Sequence, residues 1–179
     1  LHYSGSPIVN SLAIEYGLVP PAQGKQILAK LRAKMKEVGF TRFDLGIPTV
    51  LSPIPRADYL QPNAPGLGAR PDGSDAFQRY QNGGINSGHA LHFIMAHYVV
   101  GENEIGDQIL RAMLGRQNSI GFQNGAINSD GAGMEWTTWD GKASGYEGYL
   151  GDNYRFLLPV LLRQPEFRAR YYRPLGPQP

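Results

Sequence analysis

Two carboxylates and two indoles share the stretch Gly133-Met134-Glu135-Trp136-Thr137-Thr138-Trp139-Asp140-Gly141, which holds both tryptophans of the chain. An indole offers a flat apolar face and one N–H donor, a combination that suits stacking on the C–H face of a sugar ring. A carboxylate beside it orients hydroxyls or acts as a base. Glycoside hydrolysis needs two such groups, one protonated on the leaving oxygen and one activating water, with roughly 6.5 to 9.5 Å between them for inversion. Glu135 and Asp140 are the candidates for the catalytic work, Trp136 and Trp139 for contact with substrate. The competing reading is a turn at Asp140-Gly141, with Glu135 a solvated or ion-paired side chain. Glu147 stands where the last helix is expected to start; it is a further substrate-binding candidate, or a carboxylate that gains from the helix dipole.

A second polar stretch, Tyr80-Gln81-Asn82-Gly83-Gly84-Ile85-Asn86-Ser87, adds Tyr80, Gln81 and Asn82 as substrate-binding candidates, with His89 just beyond it. Phe122-Gln123-Asn124-Gly125-Ala126-Ile127-Asn128-Ser129 echoes it at an offset of 42 residues. Helical-hairpin repeats have such periods, although two unrelated Asn-Gly turns give the same echo. His89, His92 and His97 invite a metal reading, because histidines at i and i+3 or i+4 share a helix face. His97 diverges from His92 and no acidic residue stands beside them at ligand spacing, so packed or hydrogen-bonded histidines are expected, with no metal and no other cofactor. Arg42 and Arg56 are expected to pair with the neighbouring Asp44 and Asp58.

Several chemistries drop out. Cysteine is absent, which removes disulfides, thiolate nucleophiles and Cys-based metal sites. No Walker-type glycine loop, GxSxG elbow or dinucleotide fingerprint occurs, which disfavours nucleotide and serine-hydrolase chemistry. Seventeen basic and 15 acidic residues give a formal charge of +2, too balanced for a dedicated nucleic-acid surface. No apolar run approaches the roughly 18 to 20 residues of a membrane helix. Neither nucleic acid nor membrane is expected as a partner, which leaves the carbohydrate suggested by the tryptophan stretch; the compartment is left open.

The elements that must position these residues are helical. A chain of 179 residues matches one domain. Its 23 glycines and 14 prolines require long irregular segments. Residues 8–17 carry a short apolar face that ends at Gly17, a favoured helix stop. Pro20 and Pro21 suit the start of an outer, amphipathic helix whose Ile27, Leu28, Leu31, Met35 and Val38 recur at helical spacing up to Gly39. Pro48, Pro53, Pro55, Pro62, Pro65 and Pro71 exclude a long helix from residues 40–86. Ser87 is the expected N-cap of a helix that runs to Gly101, apolar nearly all round and hence buried. The next helix, from about Asn103 to Leu114 with Gly115 as its stop, completes a helical hairpin. A last helix spans Tyr146 to Leu162, with Pro159 able to kink it, and an Arg-, Tyr- and Pro-rich tail follows.

The order of inner helix, outer helix and Gly-rich loop carries a resemblance. Tyr80-Gln81-Asn82-Gly83-Gly84-Ile85 before a buried helix, and Met134-Glu135-Trp136 through Trp139-Asp140-Gly141 before the final one, resemble the C-terminal part of the (α/α)6-barrel, six-hairpin glycosidases. In that superfamily a Y-H/Q-N-G-G loop opens an inner helix, and a later P-E-x-x-D-G loop carries the glutamate assigned as catalytic base in several members. Glu135 falls on that glutamate and Asp140-Gly141 on the D-G; Met134 replaces the common proline, and Asn86 the tryptophan usual after the glycine pair.

The resemblance covers most of residues 8–163 and implies an all-α fold, the helical hairpins of a partial (α/α)6 toroid with long irregular loops. Residues 1–179 are then a single domain, the C-terminal part of a catalytic barrel. Five helices are too few to close a six-hairpin ring, so an N-terminal segment or a second chain is expected to complete it and to supply the general acid. A start at Leu1 agrees with a processed or partial chain. The expected function is glycoside hydrolysis of the inverting type, acting on an oligosaccharide or glycoside. The alternative is a non-catalytic carbohydrate-binding or helical-repeat scaffold protein that uses the same aromatics.

Overall fold

A computed structural model describes residues 5–55, 58, 76–120, 136–144 and 157–171. Glu135, Glu147, the echo at residues 122–129, Arg56 and the start of the expected last helix lie outside the described residues.

The chain opens with α1 (Pro7–Glu15) and α2 (Pro21–Glu37), each with proline in its first turn, where no intrahelical N–H is needed. After strands β1 (Ile47–Pro48) and β2 (Ile85–Asn86) come α3 (Ser87–Val99) and α4 (Asn103–Ile120). Strands β3 (Trp136–Thr137) and β4 (Ala143–Ser144) follow, then the short helices α5 (Leu157–Leu162) and α6 (Pro165–Tyr171). Helix α6 lies in the Arg- and Tyr-rich tail, opened by Pro165 after a break at Arg163 and Gln164.

Three helices end in the same way. Gly17, Gly39 and Gly101 each adopt positive φ (70°, 77° and 79°). In each case the amide after the glycine reaches back five residues: Leu18 to Ala13 O, Phe40 to Met35 O and Glu102 to His97 O, all at 2.8 Å. This Schellman closure was readable from the glycines alone. Gly115 differs. Helix α4 passes straight through it to Ile120, because a glycine permits a stop but does not impose one when the next residues continue the helix.

Helix α3 is the centre of the core. Ala90, Leu91 and the run Phe93 to Tyr98 are all buried, with α1, α2 and α4 packed around them. Leu28, Leu31 and Met35 of α2 and Ile109, Leu110 and Met113 of α4 supply the facing apolar stripes. Within this core His97 is fully buried; its Nδ1 lies 2.7 Å from Phe93 O and its Nε2 2.7 Å from an Arg32 guanidinium nitrogen. Arginine cannot accept, so Nε2 accepts from Arg32, and Nδ1–H donates to the carbonyl. Burial holds this imidazole neutral, lowering its pKa from 6.5 to about 4. Arg32 also pairs with Glu102 at 2.8 Å, which joins α2 to the end of α3.

The N-terminal end of α1 is held beside the entry to α3 through Thr49, and its C-terminal end is tied to α3 itself. Ser6 Oγ donates to Thr49 O at 3.0 Å beside the entry to α3, and the buried Glu15 meets His92 Nδ1 at 2.6 Å further along it. These ties give α1 and α3 the same sense.

The all-α expectation holds in part. The protein is mostly helical, but a four-stranded antiparallel sheet in the order β1-β2-β3-β4 sits at the N-terminal end of α3. Strands of two residues are too short for an alternating apolar pattern, so periodicity could not signal them.

Candidate functional site

The loop of residues 76–84 enters α3 in a conformation that few sequences tolerate. Gln78 and Tyr80 both have positive φ, 66° and 39°, an uncommon backbone for residues with a Cβ. Gly84 follows so closely that a Cβ there would stand 2.4 Å from Tyr80 N and 2.6 Å from Tyr80 O. Side chains from elsewhere hold the loop in place. The Thr49 hydroxyl accepts from Gly83 N and donates to Gln81 O, both at 2.9 Å. The fully buried Asn82 accepts from Ile54 N at 2.8 Å, and its amide nitrogen faces Ile54 O at 3.4 Å. Asn86 then caps α3, accepting from His89 N at 3.2 Å, so the cap is Asn86 and not the expected Ser87.

The sheet register brings the tryptophan stretch to this loop. Ile85 of β2 stands opposite Thr137 of β3, and β3 turns back into β4 through Thr138 to Lys142. Trp136 is buried and its ring lies tilted to that of Tyr80, centroids 6.3 Å apart. Trp139 donates its indole N–H to Gly83 O at 2.6 Å and meets Phe40 and Phe77 edge to face. Asp140 is exposed at the turn, where its carboxylate accepts from the Thr138 hydroxyl and, at 3.4 Å, from Lys142 N. Those hydrogen bonds, from Thr138 foremost, hold its pKa below the ordinary carboxylate range.

Arg42 borders the turn. Its guanidinium grips Asp44 through two hydrogen bonds of 2.9 Å, as expected for this pair, and reaches the Asp140 carbonyl at 3.4 Å. The Arg42 hydrogen bond lowers the pKa of Asp44, and Arg116 approaches the same carboxylate at 3.9 Å.

Of the residues expected to meet substrate, Trp136 lies against Tyr80 and Trp139 reaches Gly83 at the head of α3, while Gln81 and Asp140 are exposed in the loop and the turn so joined and His89 is half-buried in the first turn of α3. Gln81 is exposed, whereas Asn82 points inward and its amide is engaged by Ile54. His92 pairs with Glu15 rather than with His89. Among the described residues no group of three or more His, Asp or Glu side chains converges as metal ligands, and no helix is long and apolar enough to cross a membrane. Thr49, which organises the loop, was not singled out in the sequence; a lone threonine between prolines carries no local signal.

The ionised Asp140 carboxylate and the exposed Gln81 amide can hydrogen-bond to hydroxyls, and the part-exposed Tyr80 ring, backed by the buried Trp136, offers an aromatic face. With its carboxylate held ionised, Asp140 is suited to accept hydrogen bonds from hydroxyls and orient them, and unsuited to donate as a general acid. Comparison of the chain with known protein families, curated proteins and solved structures gives no match.

Proposed function

We propose that the chain is a carbohydrate-active segment of a six-hairpin glycoside hydrolase of the inverting type, with Glu135 as the base that activates water. The observation that carries the reading is the pairing of β2 with β3, which joins the Tyr80 loop and the Trp139-Asp140-Gly141 turn. These are the two stretches, 56 residues apart, on which the glycosidase resemblance rests. The common sense of α1 and α3, with α2 between them in the chain, is what successive inner helices of a hairpin ring require. In this reading Tyr80, Gln81 and Asp140 contact the sugar with Trp136 buried against Tyr80, His89 and Glu147 border it, and another hairpin or a second chain supplies the general acid.

Glu135→Gln in the assembled enzyme tests it. Hydrolysis of an oligosaccharide should fall by roughly 100-fold to 10,000-fold, the usual contribution of a positioned base. Binding measured by calorimetry should stay close to that of the wild type. An unchanged turnover rate would overturn the assignment, and saturable binding without any product from the wild type would favour the non-catalytic carbohydrate-binding alternative.

A further inference from the structure

We infer that Trp139 is a positioning residue: it locks the Asp140 turn to the strained loop of residues 76–84, so that both sides of the proposed sugar site move as one unit. Its indole N–H reaches Gly83 O at 2.6 Å, and its ring is flanked by Phe40 and Phe77 at centroid separations of 5.3 and 5.5 Å. The polar handle that a sugar-stacking tryptophan would offer its ligand is thus engaged inside the protein. Trp136, tilted against Tyr80, is left as the indole beside the candidate contacts.

The bond to Gly83 acts where the loop most needs support. Positive φ at Gln78 and Tyr80 persists only where the surroundings over-determine the backbone. Gly83 is clamped on both of its polar groups, its N–H by the Thr49 hydroxyl and its carbonyl by Trp139. At the other end, Trp139 sits inside the turn closed by Gly141 N–H on Thr138 O at 2.9 Å, directly before Asp140. One side chain therefore fixes a backbone carbonyl in one loop and the approach of a carboxylate in another.

The purpose of the lock rests on the sugar-site reading, whereas the lock itself is measurable without any sugar. Native-state hydrogen exchange, read by NMR on the isotope-labelled full chain, should show the Trp139 indole N–H and the Gly83, Gly84 and Gly141 amides opening in one transition, at lower free energy than the α3 amides Ile94 to Tyr98. In Trp139→Phe, which keeps an aromatic wedge and removes the donor, those three amides should exchange about ten-fold faster while the α3 amides keep their rates. Independent opening of Gly141 from Gly83 and Gly84 in the wild type would overturn the inference, even if the variant does not fold. Unchanged loop rates in the variant, or a uniform rise that includes α3, would also overturn it. Failure of the wild type to bind or hydrolyse malto-, cello- and xylo-oligosaccharides would remove the sugar site and leave the lock standing.

Discussion

Within α3, Phe93 to Tyr98 are buried among the neighbouring helices, and side-chain volume holds the structure together. In the loop that leads into it, residues 76–84, order comes from side-chain-to-backbone hydrogen bonds between segments far apart in the chain: Thr49 and Trp139 on the Gly83 backbone, and the loop's own Asn82 on the Ile54 backbone. The first region tolerates changes of backbone propensity and is sensitive to lost volume. The second is the reverse, because its glycines leave no space for a Cβ and its φ angles are held by outside contacts. A site built on the second kind of region keeps its shape only while several long-range hydrogen bonds hold together.

Truncation in the first region gives the largest expected effect. Phe93→Ala removes a fully buried ring and should lower stability by about 4 kcal/mol in denaturant unfolding. Gly84→Ala should cost about 3 kcal/mol, since its new methyl meets the Tyr80 backbone at 2.4 Å and one of the two segments must move. NMR shift changes confined to the loop and the Asp140 turn would sharpen the contrast; changes spread through α3 would break it.

The histidine inside the core gives an effect of similar size that pH controls. The folded protein keeps His97 neutral down to about pH 4, whereas the unfolded chain takes up a proton near 6.5. The unfolded state therefore binds more protons in this window, and stability should fall as pH drops through it, by about 3 kcal/mol at most. His97→Gln should flatten that part of the stability curve; an unchanged slope would show that the imidazole is not held neutral. The bonds lowering the pKa of Asp44 and Asp140 act on the carboxylates at lower pH, below their ordinary 3.8.

The smallest effect runs the other way. Gly115 is exposed within α4, with nothing within 4 Å of where a Cβ would stand. Gly115→Ala should raise stability by about 1 kcal/mol, measured by thermal unfolding. Alanine would thus stabilise at Gly115 and destabilise at Gly84, and loss at both positions would refute the distinction between a glycine with open space in a helix and one packed against loop backbone.

Much of the helical frame was legible because its signals are local. Prolines at the helix starts, glycines at 17, 39 and 101, and apolar spacing along α2 and α3 act through their own neighbours in the chain. The exchange of Ser87 for Asn86 as cap shows where locality ends. Both residue types cap helices, but pairing with β1 holds Asn86 at φ −126° and ψ 127°, the extended backbone that a cap requires.

For the site, the sequence alone singled out residue types: the tryptophan pair, Asp140, and the polar stretch from Tyr80 to Asn82. Their chemistry is intrinsic to the side chains, and so are the absence of thiols and the near balance of charge. Which of these residues faces outward and which serves as an internal tie was decided only by tertiary structure. Asn82 and Gln81 are adjacent amides, yet one is fully buried on Ile54 and the other exposed. Trp139 finds its acceptor 56 residues away. Hydrogen-bond partners and burial are properties of the packed chain, set by how α1, α3 and the small sheet come together, and no local pattern of residues encodes them.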